Sequence, residues 1–139
     1  MRNQTPGTAN QLDLFVPFVV TEKKYYVIVA GGRDFDDWEL LEYTLDRRLA
    51  GTKNLVIVSG CARGADKLGE KWAIKNGIEI KRFPADWFGE GDSAGHLRNV
   101  EMARVSDALI AFWNKRSTGT KDMIQLADDY KLHLHVVNY

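Results

Sequence analysis

From Tyr25 onward the chain alternates short, unbroken apolar runs with stretches of helical period, and that alternation leaves few architectures open. Tyr25–Ala30 (YYVIVA), Leu55–Val58 (LVIV) and Ala108–Phe112 (ALIAF) are short apolar runs, the first two β-branched-rich, and read as strands buried on both faces. Ile78–Phe83 and Leu132–Val137 (LHLHVV) also read as strands. The polar alternation of Ile78–Phe83 suits an edge or a partly exposed place. Between the strands lie helical stripes. Asp36–Leu49 carries Trp38, Leu41, Leu45 and Leu49 on one face, with Gly51 as the stop. Ala65, Leu68 and Trp72 form a second stripe, ended by Asn76-Gly77. Ser93 is placed to cap a third helix carrying Leu97, Val100 and Ala103, and Met123, Ile124, Ala127 and Tyr130 make a fourth face. Pro84–Gly91 reads as a loop. Strands alternating with helices of this length imply parallel βαβ units with right-handed crossovers, hence an α/β fold with a mainly parallel five-stranded sheet and helices on both faces.

The prolines agree, since Pro6, Pro17 and Pro84 all fall outside these elements. Residues 1–24 differ from the rest. Met1–Gln11 is polar and marked by Gly and Pro; Leu12–Val20 (LDLFVPFVV) is apolar but interrupted by Pro17. A docked extended arm is the preferred reading of this segment, with an oligomer contact as the alternative. Residues 25–139 then form a single domain, as a 139-residue chain supports. Nineteen basic and nineteen acidic side chains leave a formal charge of zero. That speaks against bulk electrostatic capture of DNA or membrane and leaves room for a local basic pocket. The lone Cys61 excludes an intramolecular disulfide and any multi-cysteine zinc site, and fits a reducing, cytoplasmic setting. No run approaches the roughly 20 apolar residues of a membrane helix, and the start makes a poor signal peptide.

In an open α/β sheet, ligands bind beyond the carboxyl ends of the strands, where strand order reverses. Gly31-Gly32-Arg33-Asp34-Phe35 follows the first strand. Ser59-Gly60-Cys61-Ala62-Arg63-Gly64-Ala65-Asp66 follows the second, and Trp113-Asn114-Lys115-Arg116-Ser117-Thr118-Gly119-Thr120 the fourth. Each joins small residues to a cation and runs into a helix start, where free N–H groups and the dipole attract anions. Two or three such loops in one crevice are expected to reach micromolar binding of a phosphate, which needs roughly 8 kcal/mol. The candidate phosphate-binding set is Gly31, Gly32, Arg33, Ser59, Gly60, Arg63, Gly64, Asp66, Arg98, Asn114, Ser117, Gly119 and Thr120.

Plainer readings compete at each position. Gly31-Gly32 can be a tight turn, and it lacks the dinucleotide and Walker A fingerprints. Arg33 can pair with Asp34, Asp36 or Asp37. Asp36 or Asp37, and Ser117, can be helix caps. Gly60 and Gly64 can be packing glycines, and Asp66 can serve the helix dipole. Cys61, where a helix begins, has no base nearby in sequence. His133 and His135 share a strand face but lack a third ligand, so no metal site is assigned. Trp87 and Trp113 flank the mouth and can stack on a base or pack. Arg98 and Asn99, after Ala94-Gly95-His96, can face the same crevice.

GGRDF, SG-x-ARGAD, FPADW…AG-x-x-RN-x-x-M and FW-x-x-x-STGT together resemble the YspA/YpsA-like branch of the SLOG superfamily, over roughly Tyr26–Val137. The resemblance implies a Rossmann-like three-layer sandwich of strand order 3-2-1-4-5, with a nucleotide-type ligand at the crevice. The superfamily includes nucleotide phosphoribohydrolases, the DNA-processing protein DprA, and nucleotide or ADP-ribose sensors. The phosphoribohydrolase motif PGGxGTxxE is matched at Gly119-Thr120, but Met123 stands where its Glu would be. Cys61 stands where relatives often have Gly. Asp66 and Glu101 are left as weak catalytic candidates.

Three functions follow as expectations. The leading one is a module that binds a free nucleotide or ADP-ribose-like molecule, with Arg33, Arg63 and Arg98 as counter-ions and the helix starts gripping phosphates. The second is a hydrolase of a nucleotide N-glycosidic or phosphate bond. The third, single-stranded nucleic-acid binding, ranks last because the balanced charge makes nucleic acid an unexpected partner. A homo-oligomer is compatible with all three.

Overall fold

A computed structural model describes residues 22–139; the arm reading of Met1–Gln11 and Leu12–Val20 lies outside the described residues. The elements run β1 (Tyr25–Gly31), α1 (Trp38–Arg48), β2 (Leu55–Ser59), α2 (Ala65–Lys75), β3 (Glu79–Arg82), α3 (Trp87–Glu90), α4 (Ala94–Val105), β4 (Ala108–Trp113), α5 (Thr118–Asp129) and β5 (His133–Asn138). The strands form one five-stranded sheet of order β3-β2-β1-β4-β5, parallel throughout. This is the Rossmann-like α/β sandwich expected from the sequence.

Alternation along the strands explains the two-sided core. Val27 and Val29 of β1 face a cluster that includes Leu41 and Leu45 of α1 and Trp72 and Ala73 of α2. Ile28 and Ala30 face the other, with Met102 and Ala103 of α4 and Met123 and Ala127 of α5. β2 is buried at every position, whereas β3 and β5, at the edges, are largely exposed or half-buried. Asp37 caps α1 by accepting from the Leu40 N–H at 3.0 Å, and Arg47 and Arg48 in the last turn suit the helix dipole.

Three local expectations are corrected. Pro84–Gly91 is not simply a loop: Asp86 accepts from the Gly89 N–H at 2.8 Å and starts the helical turn α3. Ser93 precedes α4 but makes no side-chain cap bond. Leu97 is exposed; Asn99 takes the buried place, because α4 turns its inner face toward the crevice described below. Among the described residues no helix is long and apolar enough to cross a membrane.

The loops above the sheet are stitched to one another by backbone. The Gly32 carbonyl accepts from Phe35 N–H (3.2 Å) and Ala65 N–H (3.3 Å), while Gly32 N–H donates to the Phe112 carbonyl at 3.1 Å. Gly64 sits at φ +77°, and a Cβ there would lie 2.2 Å from the Gly32 oxygen. Gly77 shares a positive φ but has open space around it. Gly64→Ala is therefore expected to lower the urea midpoint by the equivalent of at least about 2 kcal/mol, and Gly77→Ala by only about 1. Equal losses would mean that the approach to Gly32 carries no weight.

Candidate functional site

The β1, β2 and β4 loops meet at the carboxyl edge of the sheet, beside the β1–β4 boundary where the strand order reverses. There lies a crevice of about 750 Å³. A narrower cleft of about 310 Å³ adjoins it, and the two share Arg33, Ala62, Trp87 and Arg98 as walls. Their charge differs. The cleft is lined by Arg33, Arg63 and Arg98 and by no carboxylate. The crevice sets Arg33, Arg98 and Arg116 against Asp34, Asp66, Asp92 and Asp122. Among the described residues none of these arginines forms an ion pair, so the pairing of Arg33 with Asp34, Asp36 or Asp37 is not made.

Gly31, Gly32, Arg33, Asp66, Arg98, Asn114, Ser117, Gly119 and Thr120 all line the crevice. Gly60 and Arg63 line the cleft. Ser59 and Gly64 line neither. Ser59 is fully buried and donates its hydroxyl to Glu70 at 2.6 Å; Gly64 packs against Gly32. Glu101 is exposed and lines neither space. Gly31 is a packing glycine, since a Cβ would lie 2.4 Å from the Phe112 carbonyl.

The expectation that three helix starts grip phosphates is also corrected. Asp37, which caps α1, lies outside the crevice. At the α2 start the Ala65 N–H goes to the Gly32 carbonyl, and just before the helix the Ala62 N–H goes to Asp66 at 3.2 Å. Cys61 lies before the Gly64 N-cap rather than on the helix, at φ +66°, a conformation that favours glycine. α5 presents open amides to the crevice. Ser117 caps it by accepting from Thr120 N–H at 3.3 Å, and Asn114 Oδ1 accepts from the N–H groups of Arg116 and Ser117 at 2.8 Å each. The cap reading of this loop holds. The cap uses Ser117 and Asn114, and the N–H groups of Thr118 and Gly119 are left without an acceptor among the described residues. A Cβ on Gly119 would meet nothing within 4 Å.

Polar side chains bridge the elements around the crevice. Arg98 donates from Nη1 to the Gly60 carbonyl and from Nε to Asn99 Oδ1 at 3.0 Å. Asn99 Nδ2 reaches Asp122 at 3.0 Å, and His96 Nδ1 lies 2.9 Å from the same carboxylate. The His96–Asp122 pair was not foreseeable from a separation of 26 residues. Tyr139 donates to Asp34 at 2.6 Å, a bond that holds the Asp34 carboxyl below its ordinary value. Trp113 is a strut, donating from Nε1 to the Ser117 carbonyl at 3.1 Å. Trp87 lines both spaces with half its surface exposed, and its neighbour Phe88 is fully exposed.

Asp66 is the buried carboxyl of the site, 5% exposed. Burial pushes it up to about 6, against the Ala62 N–H and Arg98, which favour the charged form.

Comparison with known proteins identifies the lineage. The model of the YspA, cpYpsA-related SLOG family matches residues 25–88. Gene 61 protein of Mycobacterium phage D29 is 36% identical over 123 residues, covering 81% of this chain and 94% of that protein. The chain belongs to this SLOG family. Two solved structures share the fold. DNA processing protein A from Helicobacter pylori, described for its single-stranded DNA binding mode, matches with a TM-score of 0.60 and 23% identity over 81% of this chain. DprA from Streptococcus pneumoniae matches with 0.66 and 16% over 81%. The chain spans 64% and 50% of their respective lengths.

These findings overturn the ranking drawn from the sequence. The expectation of a free nucleotide or ADP-ribose-like ligand finds no counterpart among the matches, and the judgement against nucleic acid does not survive: the H. pylori protein, which shares the fold, is described for binding single-stranded DNA. The balanced total misled because charge was averaged over the chain, whereas the cleft gathers arginines alone.

Asp66 gives the site a measurable signature. Its carboxyl binds a proton more tightly in the fold than the ordinary value of 3.8 allows. The stability it contributes is thus present at low pH and lost as pH rises from about 4 through 6. Asp66→Asn is expected to melt higher than the native chain at pH 7.5, by up to roughly 3 kcal/mol at 1.36 per unit, and to melt alike at pH 4. A lower melting temperature at pH 7.5 would contradict this.

Proposed function

We propose that residues 25–139 act as one single-stranded DNA-binding domain, with the strand's backbone in the arginine cleft and a base lodged in the adjoining crevice. The carrying observation is the pair of spaces that share walls: a cleft with three arginines and no carboxylate opens into a larger, mixed-charge crevice. Phosphates seek the first, because a hydrogen bond between charged partners contributes about 1.5–3 kcal/mol. They avoid the carboxylates of the second, where a base has polar groups to meet. Trp87 and Phe88 supply exposed aromatic faces for neighbouring bases, and stacking of this kind is worth about 1–3 kcal/mol per base. Thr118 and Gly119 N–H with Arg116 suit a further phosphate where α5 begins. The DNA-binding mode of the H. pylori protein supports the reading, which also places the work in the cytoplasm, where a lone free thiol such as Cys61 stays reduced.

The test is anisotropy of a fluorescent thymine oligomer against salt. Three or four phosphate contacts predict a log–log slope of about −2 to −3, at about −0.7 per contact. Arg63 is exposed and outside the core, so Arg63→Ala should fold normally and flatten the slope by about 0.7. Trp87→Ala should weaken binding about tenfold with little change in slope. Absence of binding at low salt, or an unchanged slope in Arg63→Ala, would refute the reading.

A further inference from the structure

Asp66 has a place in the crevice that backbone binding does not explain. It is nearly buried, lines the crevice, and has one carboxyl oxygen engaged, by the Ala62 N–H. Its other oxygen makes no hydrogen bond among the described residues. That oxygen is also not sealed in, because Ser106 Oγ alone among the described side chains is a fully enclosed polar atom without a partner. A carboxylate so placed repels phosphate, and a DNA sugar within a strand offers no hydroxyl donor. What remains for it is the N–H edge of a base.

Arg98 stands beside it. A Cβ on Gly60 would lie 2.8 Å from Asp66 Oδ2 and 2.8 Å from Arg98 Nη1, so both groups close in on the same glycine and stand side by side. Arg98 is held from two sides, by its bonds to the Gly60 carbonyl and to Asn99. Nη2 and the second N–H of Nη1 stay available. The pair therefore presents an acceptor next to a donor on one wall.

We infer that Asp66 and Arg98 together read the Watson–Crick edge of a guanine lodged in the crevice. Guanine offers two adjacent donors, N1–H and the 2-amino group, followed by the O6 acceptor. A carboxylate takes the two donors as a fork, and the guanidinium donates to O6. Adenine, cytosine and thymine each present an acceptor next to their single donor on this edge, which would face the ionised carboxylate. Unstacked bases in single strands are read in this way, and base contacts, unlike phosphate contacts, set sequence preference. The inference rests on the strand-binding reading of the same site and gives it a preferred base.

The preference is tied to protonation. The charged groups about Asp66 are Arg98 from α4 and Glu70 and Lys67 from its own helix; Glu70 is held in turn by Arg82 of β3 and Ser59 of β2, and Arg33 from the β1 loop lines the same crevice. A neutral carboxyl donates from one oxygen and loses its match to two donors.

The experiment measures affinity for thymine 15-mers carrying one central guanine, adenine, cytosine or hypoxanthine, beside the all-thymine strand. At pH 7.5 the guanine strand should bind about tenfold tighter than the others. Hypoxanthine, which lacks the 2-amino group, should lose most of that advantage. The guanine-to-thymine ratio should fall toward one at pH 5, and also in Asp66→Asn, whose folding is checked by a cooperative melt. Equal affinity for all five strands would overturn the inference and leave the strand-binding reading standing. So would a ratio that survives in Asp66→Asn or at pH 5. Failure of every strand to bind would overturn both.

Discussion

The arrangement depends on how closely three loops approach one another at the carboxyl edge of the sheet. The Gly32 peptide is the joint: its N–H reaches the end of β4 and its carbonyl takes the first amide of α2. Gly64 allows the approach, because any side chain there would strike the Gly32 oxygen. With that joint closed, Arg33 stands between cleft and crevice, and Ala62 and Asp66 become walls shared with the β1 loop. The Ala65 N–H, which a helix start would otherwise offer to an anion, is used to build the site. α5 keeps its Thr118 and Gly119 amides open at the crevice, while the side chains of Ser117 and Asn114 take the Thr120, Arg116 and Ser117 N–H groups.

Charge separation within the site follows from the same geometry. The acids of the crevice are largely engaged by neighbours: Asp34 by Tyr139, Asp122 by His96 and Asn99, and Asp66 by Ala62. The arginines of the cleft are not ion-paired among the described residues. A chain of zero net charge can therefore still offer a short cationic track, enough for a few phosphates rather than a long duplex.

Much of this was legible in the sequence. Unbroken apolar runs such as Leu55–Val58 announce buried parallel strands, and the glycine-marked loops after β1, β2 and β4 do converge. What could not be read were relations between distant residues. Nothing local shows that Gly64 packs against the Gly32 backbone whereas Gly60 is closed in by the Asp66 and Arg98 side chains. Ser59 resembles a phosphate ligand until Glu70 is found against it, 11 residues away in sequence. The turn bearing Trp87 and Phe88 was hidden by Pro84 and its glycines, although Asp86 three residues before Gly89 is a cap signal. The arginine cleft was hidden for a related reason, since composition carries no positions.

Hydrogen exchange with and without a saturating thymine oligomer tests the account most directly, because it locates the strand without altering a residue. A second groove, of about 550 Å³, lies at the opposite end of the sheet near Arg48, Thr52 and His133 and serves as an internal control. Slowed exchange is expected in the loops bearing Arg33, Arg63 and Gly119, with no change around that groove. Protection confined to the groove, or none anywhere, would contradict it.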